Sequence, residues 1–225
     1  HACRTFFGET PEGFWLPETG YAPGIEKVLR AYGVNYTVLD ARSFLFSEIE
    51  PEKGIFYPAR CDNSLAVFAR DSVSETELYG ENGFIHNKAY RSQNRDIGFE
   101  LPLDKLKPLI GEDSARFSSG FRYWNKSEEA DNDDEEYANP SSEEGIYDAD
   151  AAIAQCGKDA EAFIAEKIQR LNKAEEIMKD SPSVSLVCAF DGDKMLKNWY
   201  EGIFWLEQVF RCAAGKSVQC ASFNQ

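Results

Sequence analysis

Short apolar runs alternate with helical patterns along the first part of the chain. Gly13–Leu16 reads as a short buried strand. Ile25, Val28, Leu29 and Tyr32 fall at i, i+3, i+4 and i+7, one face of a helix that Gly33 stops. Tyr36–Leu39, β-branched and aromatic, reads as a second strand, and Leu65–Ala69 as a third that ends in Arg70-Asp71. Strand, helix and strand within about 30 residues make the βαβ unit of a parallel sheet. The segment Val73–Asp96 is polar, with two short helical stretches and a break at Gly80–Gly83. A long insertion after a strand C-terminus is where such folds place binding loops.

The second half is simpler. From Ala149 to about Lys179, apolar residues Ile153, Cys156, Ala160, Phe163, Ile164, Ile168, Leu171, Ala174 and Met178 recur at three-to-four spacing, which predicts one long amphipathic helix. Val184–Phe190 reads as a strong central strand ending in Asp191. Trp199–Arg211 reads as a final helix with Trp199, Ile203, Leu206 and Phe210 on one face. No internal repeat is evident. The expected class is α/β with parallel strands, long loop insertions and one long amphipathic helix.

With 225 residues, 43% hydrophobic and 28% charged, the chain fits one domain of ordinary composition spanning residues 1–225. The formal net charge is −15, and nine of the carboxylates lie in Glu128–Glu144. An acidic surface repels phosphate, so nucleic acid and anionic membrane are poor partners. No apolar run approaches the roughly 20 residues that span a bilayer. The acidic stretch Lys126–Gly145 holds few apolar residues and is expected to be a mobile loop. Asp131-Asn132-Asp133-Asp134 lacks the central Gly of a calcium loop, and no metal or other cofactor is expected. Six cysteines (Cys3, Cys61, Cys156, Cys188, Cys212, Cys220) are scattered without C-x-x-C or His at ligand spacing. This favours buried free thiols in a reducing cytoplasm, with a Cys212–Cys220 pair the alternative.

Two apolar runs end in a carboxylate: Gly13-Phe14-Trp15-Leu16-Pro17-Glu18 and Val187-Cys188-Ala189-Phe190-Asp191. At the C-terminal ends of barrel strands, two carboxyls about 5–5.5 Å apart can perform retaining glycosyl transfer, one as nucleophile and one as acid/base. Pro17 biases Leu16 to extended backbone and leaves Glu18 at the strand end. Asp191 follows a fully apolar run, and partial desolvation there would raise its pKa. The plainer reading of either residue is a helix cap or a solvated loop carboxylate. Arg70 and Asp71 read either as an ion pair ordering the next loop or as partners of sugar hydroxyls and the nucleophile. Trp15, Tyr79, Trp124, Trp199 and Trp205 are candidate stacking platforms, although aromatics in such positions are commonly core. Trp15 is favoured as site-adjacent and Trp205 as core. His86 is a lone loop histidine with no assigned role.

Four blocks of the chain resemble, in order, the family-57 glycoside hydrolases. They are Trp15–Glu18 (WLPE), Ala66–Asp71 (AVFARD), Tyr90–Glu100 (YRSQNRDIGFE) with Phe121–Trp124 (FRYW), and Val187–Arg211. The resemblance spans nearly the whole chain. It implies an incomplete (β/α)7-type barrel, Glu18 as nucleophile and Asp191 as acid/base, with Trp15, Arg70, Asp71, Tyr79 and Trp199 lining the sugar. The chain departs from the family in places. Leu196-Lys197-Asn198 stands where the family has Gly-His-Trp, Gly83-Phe84-Ile85-His86-Asn87 where it has Gly-Tyr-Pro-Gly-Asp, and Leu78-Tyr79-Gly80 where it has Val-Trp-Ser.

The activity implied is that of a retaining enzyme on α-glucan such as glycogen, starch or maltooligosaccharide. The Arg-Asp and Arg-Asp-Ile-Gly-Phe stretches match the 1,4-α-glucan branching branch best. The alternatives are an α-amylase, a 4-α-glucanotransferase or a non-catalytic glucan-binding homologue. The chain opens on His1, and a piece of a longer protein is expected, without the family's first His-containing strand and its helical C-terminal part. Such a piece on its own need not be active.

Overall fold

The computed structural model describes residues 2–111, 115–126, 145–179 and 184–223. The expected mobile loop at Lys126–Gly145 lies outside the described residues apart from its two ends. In chain order the elements are α1 (Ala2–Phe7), β1 (Gly13–Trp15), α2 (Ile25–Ala31), β2 (Tyr36–Asp40), α3 (Ala41–Leu45), β3 (Ala59–Arg60), β4 (Ala66–Arg70), α4 (Ser72–Tyr79), α5 (Ile97–Glu100), α6 (Leu103–Ile110), α7 (Ala149–Ile177), α8 (Gly192–Asn198) and α9 (Gly202–Ala214). They divide into two compact units, one comprising residues 1–75, 165–189 and 217–225, the other 76–164 and 190–216.

The first unit is built on a sheet of order β1-β2-β4-β3. β1, β2 and β4 run parallel, and β3 joins the β4 edge antiparallel. This is an α/β arrangement dominated by parallel pairing, as a part of a (β/α) barrel requires. One sheet face carries Leu39, Val67 and Ala69 into a core with Leu16, Leu29 from α2 and Phe44 from α3. Register puts Trp15, Val38 and Phe68 together on the other face, with Gly13, Tyr36 and Ala66 one step below. Gly13 is needed there, because a Cβ would sit 2.2 Å from the Tyr36 ring. The C-terminal segment returns to this face, where Phe223 stacks on Tyr36 at 4.8 Å between ring centroids.

The second unit packs the first half of α7, α8 and α9 around aromatic rings. Trp205 lies 5.3 Å from Phe163, 5.5 Å from Trp199 and 5.8 Å from Phe190, centroid to centroid. Each such pair contributes about 0.5–1.5 kcal/mol beyond the area it buries. Tyr90 and the buried Asp159 of α7 share a hydrogen bond, with the phenol donating. Asp96 caps α5 and holds the loop that follows α6. Its carboxylate accepts from the N–H groups of Gly98, Ser119 and Gly120 and from the hydroxyls of Ser118 and Ser119. A Cβ at position 98 would meet the Phe117 carbonyl at 2.0 Å, so this close approach requires Gly98.

Several expectations are corrected. Val184–Phe190 is not a strand. It makes one parallel bridge, Val187 to Arg70, because the antiparallel β3 already occupies the first half of that β4 edge. In α2 the buried residue is Leu29, while Val28 and Tyr32 are exposed. In α9 the buried face is Gly202, Trp205, Val209 and Ala213, and Ile203 and Phe210 are exposed. Trp199 lies in the turn before α9, so a helical phase counted from it is wrong by one residue. The long helix at 149–179 is found as α7. All six cysteines are free thiols, but the expected burial is found for Cys156 alone; Cys3, Cys188 and Cys220 are exposed. Among the described residues no helix is long and apolar enough to cross a membrane.

The Asp96 hub makes acid stability testable. Burial pushes its pKa up, but the hydrogen bonds from Ser119, Gly98 and Gly120 outweigh that and hold it below the usual carboxylate range. A depressed folded pKa contributes stability that is full above the unfolded value of about 3.9 and is lost as pH falls through the folded value. Urea midpoints measured from pH 6 to pH 2 should therefore decline from about pH 4 downward. An Asp96→Asn variant should start lower and decline less. Equal slopes in the two proteins would remove Asp96 as a source of the effect.

Candidate active site

The parallel strands β1, β2 and β4 end at one edge, and the first-unit candidates gather there. Trp15 closes β1 and Glu18 follows three residues later; Asp40 closes β2, and Arg70-Asp71 closes β4. Trp15 is 48% exposed, so its ring is open to a ligand. Leu16 is anchored in the core, and Pro17 opens a tight turn in which Thr19 N–H donates to the Leu16 carbonyl at 2.9 Å. The turn forces Glu18 to φ 52 and ψ 23, and Thr19 to φ 51. Two successive non-glycine residues in the left-handed region are strained, and strain of this kind clusters at functional sites. Its effect is to turn the Glu18 carboxylate outward, where it accepts no hydrogen bond from any described residue.

Arg70 and Asp71 do not pair with each other. Arg70 reaches Asp40 at 3.3 Å and Glu75 at 2.7 Å. Asp71 has a fully buried side chain. Arg170 of α7 forks onto it with two bonds of 2.8 Å, Lys167 stands 3.8 Å away, and the Ser74 amide and hydroxyl donate to it. Burial raises the Asp71 pKa, but the Arg170 pair and the Ser74 hydroxyl outweigh it and hold the carboxyl below its usual range. The expectation that Asp71 binds sugar is therefore corrected: both oxygens are engaged and no surface is left. The reading of Arg70 and Asp71 as one ion pair is corrected as well: Arg70 pairs with Asp40 and Glu75, and Asp71 with Arg170 and Lys167.

In the second unit, Asp191 is the N-cap of α8. Its Oδ1 accepts from the N–H of Asp193 at 2.9 Å and of Lys194 at 3.2 Å. Oδ2 accepts nothing from the described residues. The desolvation expected of Asp191 is not found, because the residue is exposed. The Tyr79 hydroxyl donates to the Asp191 backbone carbonyl at 3.0 Å. Trp199, expected as a stacking platform, is 1% exposed inside the aromatic cluster and offers no face to a sugar. Trp124 is covered by the Arg95 guanidinium, 4.6 Å from its ring. Leu196 and Lys197 project from α8, and Lys197 pairs with Asp193 at 2.9 Å.

Arg170 and Lys167 are the residues that pattern reading overlooks. Lys167 falls on the buried stripe of α7, three residues after Ile164. A cation on an apolar stripe calls for a buried counter-ion, and that signal was present in the spacing.

A family model described as Glycosyl hydrolase family 57 matches residues 1–127. The chain is 24% identical over 97% of its length to a 1,4-alpha-glucan branching enzyme of Thermococcus kodakarensis, and 24% identical over 95% to a probable 1,4-alpha-glucan branching enzyme of Mycobacterium tuberculosis. It spans 32% and 34% of those relatives. Among solved structures, an alpha-amylase from Thermotoga maritima superposes with a TM-score of 0.84 at 25% identity, covering 99% of this chain and 41% of that one. A branching enzyme from Pyrococcus horikoshii shares the fold, with a TM-score of 0.73 at 20% identity, over 98% of this chain and 37% of that one.

The strained turn at Glu18 yields a stability test. Glu18→Gly and Glu18→Ala both delete the carboxylate, but only glycine adopts the left-handed conformation freely. The Gly variant should be more stable than the Ala variant by about 1 kcal/mol in urea denaturation. An Ala variant as stable as the Gly variant would mean that the turn carries no strain.

Proposed function

The chain belongs to glycosyl hydrolase family 57, and from that premise we propose that the protein carrying it is a retaining enzyme acting on α-1,4-glucan, with branching the favoured outcome. Glu18 is the nucleophile and Asp191 the acid/base. The observation that carries this reading is the state of the Asp191 carboxyl. Oδ1 is fixed by two backbone N–H groups while Oδ2 accepts nothing from the described residues, so one oxygen orients the group and the other can hold a proton.

In the proposed reaction the Glu18 carboxylate attacks the anomeric carbon. The bond to the leaving glucan oxygen breaks, and that oxygen takes the proton from Asp191. The Asp191 carboxylate then removes a proton from an incoming hydroxyl, whose oxygen displaces Glu18 and retains the anomeric configuration. Water as acceptor gives hydrolysis; a glucan hydroxyl gives transfer, and the 6-hydroxyl gives a branch. Trp15 offers an apolar ring beside the nucleophile for the C–H face of a sugar. The branching enzymes among its relatives support branching. The alpha-amylase fold match supports hydrolysis as the second reading. The free thiols support the expected cytoplasmic setting.

The two carboxylates are separable by experiment. With an α-glucosyl fluoride, whose leaving group needs no proton, Asp191→Asn should still form the glycosyl-enzyme. The intermediate should accumulate, because the acceptor has lost its base. Azide should release it as a product of retained configuration. In Glu18→Ala, azide replaces the nucleophile, and any product should be inverted. Exchanged stereochemistry would reverse the two assignments, and wild-type turnover in either variant would remove that carboxylate from the mechanism.

A further inference from the structure

We infer that Tyr79 is a positioning residue for Asp191, its hydroxyl fixing the main chain from which the acid/base carboxyl projects; this rests on the acid/base role proposed above. The sequence had suggested Tyr79 as a sugar-stacking ring. Its hydroxyl instead donates to the backbone carbonyl of Asp191 at 3.0 Å, across 112 positions of sequence. The ring packs edge-on against Phe190, the residue before Asp191, at 6.5 Å between centroids.

The effect follows from counting the torsions that aim Asp191. Its side chain is held by Oδ1, which caps α8 through the N–H groups of Asp193 and Lys194. Its carbonyl already accepts the Met195 N–H at 3.0 Å, a bond within its own helical turn. That bond moves with α8 and cannot by itself anchor the turn to anything else. The Tyr79 hydroxyl is the second bond to the same oxygen, and it comes from the end of α4. It restrains ψ of Asp191, observed at 106°, and with it the direction of Oδ2. A general acid must lie within hydrogen-bond reach of the oxygen it protonates, and a misplacement of about 1 Å can cost about a hundredfold in rate. A hydroxyl that pins the backbone at this residue therefore acts on proton donation rather than on sugar affinity.

Tyr79→Phe removes the hydroxyl and keeps the ring. The test compares two substrates in the protein that carries this chain: maltoheptaose, whose leaving sugar needs a proton, and α-maltosyl fluoride, whose fluoride does not. The ratio of kcat/KM for the fluoride to that for maltoheptaose should rise about fivefold to tenfold in Tyr79→Phe, the effect of one hydrogen bond. The change should appear in kcat for maltoheptaose, with KM unmoved. Partial unfolding lowers both rates in proportion and leaves the ratio where it was, so a merely structural role would not produce this result. An unchanged ratio overturns the inference, and so does a KM raised for both substrates, which would make Tyr79 a sugar contact. Asp191→Asn run alongside separates the two claims. If it fails to raise the ratio, the acid/base assignment itself falls. If it raises the ratio and Tyr79→Phe does not, only the positioning role falls.

Discussion

Asp71 is held out of water at the C-terminal end of β4, and much of the first unit follows from what that carboxylate needs. An isolated buried charge is untenable, so the site must bring cations and donors to it. Arg170 supplies a two-bond fork, Lys167 a second positive charge, and Ser74 a hydroxyl and an amide from the first turn of α4. The Asp71 amide in turn donates to the Val187 carbonyl at 2.8 Å, next to the single bridge that attaches residues 184–189 to the sheet. One residue therefore ties together β4, the start of α4, the second half of α7 and the extended segment. Removing one partner of such a pair costs about 3–5 kcal/mol, because the remaining charge is left buried and unpaired. The cluster fixes the C-terminal end of β4, one of the three parallel strands whose ends carry the first-unit candidates.

That turn shows how a four-residue block sets an orientation. Trp15 ends the pairing with β2, Leu16 sinks into the core, and Pro17 begins the tight turn. The chain has no room to leave the sheet in a relaxed conformation after an anchored residue and a proline. Glu18 and Thr19 take the left-handed region as a result. A glycine at position 18 would relieve the strain but carry no carboxylate. The cost is tolerable only because the residues on either side are fixed by packing and by the sheet.

The parallel strands were legible as short apolar runs that end in a charged residue or proline, and α2 and α7 because their apolar residues recur at helical spacing, although in α2 the buried face is Leu29 and not Val28 or Tyr32. What escaped has a physical cause in each case. β3 is two residues long, too short for alternation to register. Val184–Phe190 has the composition of a strand, but composition does not reveal that the antiparallel β3 already pairs with Ala66 and Val67 on that edge. Trp199 looked like a site residue by its place in a block, whereas its burial depends on Tyr90 and Trp205, which are distant or out of phase in sequence. Asp71 looked like half of an Arg-Asp pair because adjacency is visible in sequence and an arginine 99 positions away is not. Consecutive strand residues point to opposite faces, which argues against that local pairing from the outset.

The same alternation of plain and functional readings applies to four of the aspartates that open helices here, Asp40, Asp71, Asp96 and Asp191; a fifth, Asp148, caps α7 through Oδ1 alone. Asp40 caps α3 through Oδ1, and its Oδ2 takes Arg70. Asp71 caps α4, and Asp96 caps α5, and each has both oxygens occupied by amides, hydroxyls or cations. Asp191 caps α8 with Oδ1 alone. Each of the four is therefore a helix cap, as the plainer reading holds for Asp191. Capping does not exclude chemistry, because it engages one oxygen and immobilises the group. What separates Asp191 from the other three is that its second oxygen has no partner among the described residues. An acid/base needs one oxygen held and the other available; Asp191 meets that condition, and so does Asp148 at the start of α7, so the condition is necessary for the role and the block that carries Asp191 supplies the rest of the case.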